Sequence, residues 1–115
     1  MAKVFGLHEI ELRPEVTAAE YEQFFIKEIA HLPMFPGWRA YLLKGDRGER
    51  AGKYLVMYEV ESVEARDRYF PAPAEQSEKV QQFLEQHPAV AAAMDKSNAF
   101  ESVPDTWTDY VVVGD

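Results

Sequence analysis

The fold of this chain is decided by residues 36–70, PGWRAYLLKGDRGERAGKYLVMYEVESVEARDRYF. Residues 38–44 are rich in aromatic and aliphatic side chains, and residues 53–61 alternate between two faces. Period-two patterning with aromatic and β-branched residues is typical of β-strands. Because both faces of the second segment carry apolar residues, we predict a central strand that is covered on both sides.

A polar loop, Gly45–Gly52, joins these two strands. Its three glycines allow turn conformations that other residues resist, and its charged side chains stay in water. The loop lacks the Walker pattern and does not lead from a strand into a helix, which argues against a phosphate cradle. Its two acidic residues are too few for a calcium loop. We therefore predict an exposed hairpin loop.

The sequence before the hairpin predicts one strand and one helix. Val4–Leu12 has the strand pattern. Thr17 and Glu20 form a capping-box pattern, in which both side chains would bind free backbone N–H groups. Apolar residues then recur at helical three-four spacing, so we expect a helix that ends near Ile29 or Ala30 and packs on the sheet.

The sequence after the hairpin predicts a broken helical region and a last strand. Ser62 is a suitable N-cap for a helix over residues 63–70. Two prolines follow, and further helical segments are predicted over residues 74–86 and 89–96. The last strand is predicted over residues 108–113.

The predicted element order is β-α-β-β-α-β, which is the ferredoxin-like pattern of a four-stranded antiparallel sheet with helices on one face. We predict one α+β domain over residues 1–115. Phe5 and Leu7 of the first strand would lie on the face without helices. Leu55 and Met57 of the hairpin would lie there too. A symmetric homodimer that buries sheet against sheet is therefore expected, which is a dimeric α+β barrel.

Composition excludes several classes of function. The chain has 115 residues, a formal charge of −8 and no cysteine. It therefore has no disulfides, thiolate metal sites or cysteine nucleophiles. The negative charge argues against nucleic acid or anionic membranes as partners, because phosphate contacts need clustered Lys and Arg. No signal-peptide pattern opens the chain and no apolar run is long enough to span a bilayer, so we predict a cytoplasmic protein.

A short motif adds a family resemblance. A strand runs into Glu61–Glu64 (ESVE), and Tyr69 follows. Together with the element order, these residues resemble the dimeric α+β barrel proteins, a broad group that includes antibiotic-biosynthesis-monooxygenase-like, EthD-like and stress-responsive barrel proteins. The resemblance implies a homodimer with a small-molecule pocket. It also implies a cofactor-independent enzyme, monooxygenase-like or cyclase-like, acting on an aromatic or polyketide-type compound.

The chain departs from one motif of this group. In the stress-responsive barrels and the plant polyketide cyclase similar to them, a tyrosine and an H-P-A-H motif lie at a pocket between sheet and helices. Tyr69 matches that tyrosine, and Ala72–Glu75 (APAE) stands at the position of the motif. Both histidines are absent, and Glu75 occupies the position of the catalytic one.

Three residues are candidates for catalysis. His8 lies in the middle of the first strand beside Gly6, which would leave room for a ligand; a neutral imidazole there would accept a proton from a phenol or an activated carbon acid. The alternative is a buried histidine bonded to a tyrosine or a backbone carbonyl. Tyr69 would donate a hydrogen bond to a substrate, as the resemblance implies, or only pack on the sheet. Glu75 would be a base if desolvated, or a solvated surface residue.

Aromatic side chains are unusually frequent and would either line a pocket for a flat ring or form ordinary core. Trp107 would cap one end of that pocket or reach over the dimer partner. The candidates for ligand contact are Phe24, Phe25, Tyr41, Tyr58 and Glu75, with the aromatic residues Tyr54 and Trp38 beside them.

The three histidines are too scattered in the sequence to predict a metal site, and no cofactor is predicted. His31 and His87 each lie beside a helix-ending proline, where the helix dipole favours them without any function. Two alternatives to an enzyme stay open. One is a non-catalytic or stress-related dimer that binds a small apolar ligand. The other is a haem-binding protein with His8 or His31 as axial ligand.

Overall fold

An antiparallel sheet and four α-helices form the part of the chain that the computed structural model describes, residues 2–102, 104 and 106–114. The α+β class is therefore confirmed. No helix in this part of the chain is long and apolar enough to cross a membrane. The helices are α1 (Ala18–Phe24), continued by a π-helical stretch over Phe25–Ile29, α2 (Val63–Asp67), α3 (Glu78–Gln86) and α4 (Pro88–Ser97).

Strand β1 (Val4–Leu12) lies inside the sheet and pairs along both of its edges. One edge pairs with β3 (Tyr54–Val60), which in turn pairs with β2 (Trp38–Lys44). The other edge pairs with β5 (Thr108–Val111) near the start of β1 and with β4 (Glu101–Ser102) at its end. The short β4 is additional to the four predicted strands, because two residues carry no alternating pattern that a sequence can reveal.

The strand register assigns side chains to the two faces of the sheet. Gly6 is paired with Tyr58 and His8 with Val56, so these four residues share the face that the helices cover. Leu7 is paired with Met57 and lies on the opposite face, as the alternation predicts. We call this opposite face the open face. Its apolar residues are Phe5, Leu7, Tyr41, Leu43, Leu55, Met57 and Tyr110.

Serine and threonine side chains fix where the helices begin. The Thr17 hydroxyl accepts a hydrogen bond from the Glu20 N–H at 3.2 Å and donates one to the Glu20 carboxylate at 3.2 Å. The predicted reciprocal bond from this carboxylate to a backbone N–H is thus replaced by a bond between side chains. Ser62 caps α2 as predicted, since its hydroxyl accepts from the Ala65 N–H at 3.0 Å.

Helix α3 begins later than the sequence pattern predicts. Ala74 has a φ of +60°, a conformation outside the right-handed helix. Ser77 is held in place by its N–H, which donates to the Tyr69 carbonyl at 2.8 Å, and its hydroxyl caps α3 by accepting from the Lys79 N–H. The proline-rich stretch after α2 therefore remains a turn and not a first turn of helix.

Two separate clusters of buried residues form the core between the sheet and the helices. One lies at the end of β1 and consists of Ile10, Tyr21, Phe24 and Tyr54. The other lies at the start of β1 and consists of Val4, Val60 and Ala65. The positions of β1 between Val4 and Ile10 that face the helices, Gly6 and His8, belong to neither cluster.

We expect the truncation Ile10→Ala to lower the free energy of unfolding by about 2–5 kcal/mol, because Ile10 is only 4% exposed and its loss leaves a cavity. The matched control is Ile26→Ala, at a helical position that is 53% exposed, which should change the value by less than about 0.5 kcal/mol. Urea denaturation followed by circular dichroism measures both. Equal effects of the two changes would contradict this description of the core.

Candidate functional site

A cavity of about 1090 Å³ lies between the sheet and the helices. Its floor includes Gly6, His8, Val56 and Tyr58, which occupy the middle of the sheet between the two core clusters. The volume is in the range of small-molecule sites. Its walls are mainly apolar and aromatic and include Phe24, Phe25, Ile29, Phe35, Trp38, Phe70 and Phe83.

The Trp38 side chain forms part of the cavity wall, but its indole N–H is buried and cannot donate to a ligand. Its indole packs edge-on against the Phe35 ring, with the centroids 5.3 Å apart. The Trp38 Nε1 is buried and has no hydrogen-bond partner among the described residues. The Phe35 and Trp38 rings therefore give this part of the cavity an apolar, aromatic surface.

His8 is the nitrogen base in the floor of the cavity. Its ring lies edge-on to Tyr58 at 5.4 Å between centroids and 6.1 Å from the Trp107 ring. Burial lowers the pKa of His8, and the negative charge of Asp109 opposes this effect. Within the described part of the chain the His8 imidazole makes no hydrogen bond, so the alternative of a histidine side chain bonded to a tyrosine or carbonyl is not observed there. The imidazole is therefore neutral near pH 7 and able to accept a proton.

Tyr58 is a donor beside this base. Burial raises the pKa of Tyr58, and the nearby Glu101 carboxylate raises it further. The phenol thus stays protonated at neutral pH. Among the described residues its hydroxyl has no hydrogen-bond partner, so it is free to donate to a bound molecule.

Glu101 brings a carboxylate to the cavity, which the sequence analysis did not identify. It lies on β4 opposite Leu12, and therefore on the face that carries His8. The Tyr21 hydroxyl donates a hydrogen bond to its Oε2 atom. Burial raises the pKa of Glu101, and the hydrogen bond from Tyr21 opposes this effect.

Asp109 joins three elements at one side of the cavity. It accepts hydrogen bonds from Arg66 of α2 at 3.1 Å and from the Trp107 indole N–H at 3.0 Å. A Cβ atom on Gly6 would lie 2.7 Å from the Asp109 Oδ1. The sequence suggests that Gly6 leaves room for a ligand, but the Asp109 carboxylate occupies that space. Trp107 is consequently held beside His8, at one end of the cavity.

Two of the predicted site residues lie away from the cavity surface. Tyr69 is buried, and its ring stacks on Phe35 with centroids 4.2 Å apart. Glu75 is exposed in the turn before α3, where it forms an isolated bridge with Ala72. Neither belongs to the cavity lining found among the described residues. Both were selected through the family motif, and motif position does not fix the direction of a side chain.

The other predicted residues divide between the cavity and its surroundings. Phe24 and Phe25 line the cavity, although Phe24 also belongs to a core cluster. Tyr41 borders the cavity, but its hydroxyl donates to Glu59 at 3.0 Å on the open face. His31 is exposed beyond the π-helical stretch. No group of three or more His, Asp or Glu side chains among the described residues is placed to hold a metal ion.

No protein-family model matches the chain, and no curated protein is significantly similar to it. The cavity and the groups that line it are therefore the basis for assigning a function.

We expect Asp109→Asn to lower the pKa of His8 below its value in the unchanged protein. The substitution removes the negative charge that stabilises the protonated imidazole, while the desolvation that lowers the pKa remains. Titration of the His8 ring protons by NMR measures the shift. Asp67→Asn is the control, because it removes the other carboxylate bound to Arg66 and should leave His8 unchanged. The same His8 pKa in Asp109→Asn and in the unchanged protein would contradict the arrangement.

Proposed function

We propose that this protein binds an aromatic or otherwise apolar small molecule in its cavity and that His8 removes a proton from it without a cofactor. The observation that carries this proposal is an imidazole in the floor of an aromatic cavity, next to the Tyr58 phenol and without a hydrogen-bond partner among the described residues. General bases in enzymes need access to the substrate and a pKa near or below the working pH, and His8 meets both conditions.

The proposed step is proton abstraction from a carbon next to a carbonyl group. A C–H bond of the ligand breaks, the proton moves to the His8 imidazole, and the electron pair becomes an enolate. The Tyr58 hydroxyl donates a hydrogen bond to the enolate oxygen and stabilises its charge. The imidazolium then returns a proton to the carbon or to a product. Tyr58 takes the donor role that the resemblance assigns to Tyr69, because Tyr58 lines the cavity.

An enolate of this kind is the nucleophile that a cyclase-like reaction on a polyketide-type compound requires. A non-catalytic binding protein would use the same cavity without the proton transfer. The two possibilities differ in one measurable property, which is the exchange of acidic C–H protons of a bound ketone with solvent.

We expect the protein to catalyse deuterium exchange at C1 of 2-tetralone in D₂O, followed by ¹H NMR. His8→Gln should lower the catalysed rate by a factor of about 10²–10⁴, as for loss of a general base, and Tyr58→Phe should lower it by a smaller factor. His31→Gln is the matched control, since this histidine is exposed, and it should not change the rate. Binding of 2-tetralone without exchange would favour the non-catalytic alternative and overturn the role of His8.

The proposed assembly is a homodimer of ferredoxin-like domains, a dimeric α+β barrel in which two open faces pack together. Support comes from the strand order β2-β3-β1 followed by β5 and β4, and from the core clusters on one face only. It also comes from the apolar side chains of the open face, where Leu43 is 40% and Tyr110 is 55% exposed. The open face also carries the charged residues Glu9, Arg39 and Glu59, and exposed apolar side chains with charged residues among them are typical of an interface between identical subunits.

We expect light scattering at micromolar concentration to give twice the chain mass of 13.2 kDa. Met57→Glu should yield a monomer, because it places a charge in the middle of the open face, next to Leu7 and Tyr41. Ile26→Glu is the control, because Ile26 is an exposed apolar residue of a helix and should leave the dimer intact. A monomeric unchanged protein would refute the dimer.

A further inference from the structure

The charged side chains that border the cavity differ in whether they have a partner of opposite charge. The guanidinium of Arg66 is bound by Asp67 at 3.0 Å and by Asp109 at 3.1 Å. Both oxygens of Asp109 are occupied, one by Arg66 and the other by Trp107. Arg39 is paired in register with Glu59 and lies on the open face. Among the described residues that line the cavity, these interactions leave Glu101 as the carboxylate without a cationic partner.

Glu101 has capacity for one further strong interaction. Tyr21 binds its Oε2 atom, whereas its Oε1 atom has no hydrogen-bond partner among the described residues. The carboxylate is partly buried; desolvation raises its pKa, the hydrogen bond from Tyr21 opposes this effect, and no cation among the described residues adds to that opposition. A buried carboxylate in this situation is costly unless it is protonated or meets a donor.

We infer that Glu101 selects ligands that carry a protonated amine, so that the molecules bound in this cavity are basic aromatic compounds. This inference rests on the proposed function, since it names the chemical class of the ligand at the same site. An ammonium group would donate to Oε1 and neutralise the buried charge. The aromatic side chains of Tyr21, Phe24 and Tyr58 line the same cavity, and would pack against the apolar part of such a ligand.

The spacing along β1 sets the size of the ligand. Leu12, the partner of Glu101, lies four residues after His8 on the same face, which corresponds to about 13 Å of strand. The Glu101 side chain shortens this distance. We therefore expect a ligand with a fused ring system near His8 and a short amine-bearing chain directed toward Glu101.

The test compares two probes of equal shape, 2-(2-naphthyl)ethylamine and 2-(2-naphthyl)ethanol, by isothermal titration calorimetry at pH 7. The unchanged protein should bind the amine at least about tenfold more tightly, as expected for a charge-assisted hydrogen bond. Glu101→Gln should reduce this preference to less than about threefold, and Glu101→Asp should retain part of it. Glu75→Gln is the control, an exposed glutamate outside the cavity lining, and should keep the full preference.

The outcomes separate the two proposals. Equal affinities of the probes for the unchanged protein overturn the inference and leave the binding cavity intact, a result that needs no variant to fold. A preference for the amine that persists in folded Glu101→Gln also overturns it. Failure of both probes to bind overturns this inference together with the proposed binding function.

Discussion

The pairing of β1 along both edges is the constraint on which the rest of the structure depends. Seven residue pairs with β3 fix the register, and β4 and β5 occupy the other edge. Because side chains alternate along a strand, a shift of one residue would move Gly6 and His8 to the open face and Phe5 and Leu7 under the helices. The buried Val4 and Ile10 at the two ends of β1 oppose such a shift, since each belongs to a core cluster.

The cavity follows from the separation of those two clusters. Helix packing at the two ends of the sheet leaves its middle covered but not filled, and aromatic rings of the helices and connecting segments surround that space. A continuous core over the same area would bury more apolar contacts. Apolar packing is therefore incomplete at the positions where His8, Tyr58 and Glu101 lie. Such local departures from optimal packing are expected where a site is built.

The ionisable groups around the cavity differ in their hydrogen-bond partners and protonation states, so different parts of the cavity have different chemical roles. On one side, Asp109 is saturated by Arg66 and Trp107 and acts as a structural junction. In the floor, desolvation favours the neutral form of His8 and the protonated form of Tyr58, which are the states needed to accept a proton and to donate a hydrogen bond. Glu101 lies opposite the end of β1, and its Oε1 atom has no hydrogen-bond partner among the described residues. The strongly negative chain as a whole would also attract a cationic ligand toward the cavity.

Local chemistry in the sequence determined the hairpin, the first strand, the caps at Thr17 and Ser62, and the position of His8 on the face that the helices cover. These features follow from period-two alternation, glycine-rich turns and short side chains that bond neighbouring N–H groups. Only the tertiary structure decided which side chains meet in the cavity. Glu101 and Asp109 are isolated acidic residues in the sequence, and pairing with Leu12 and Gly6 of β1, far away in the chain, brings them to the site. Tyr69 and Glu75 fit a motif, but the packing of Phe35 and the turn after α2 direct them elsewhere. Sequence patterns report spacing along the chain, whereas a site depends on long-range pairing and side-chain direction.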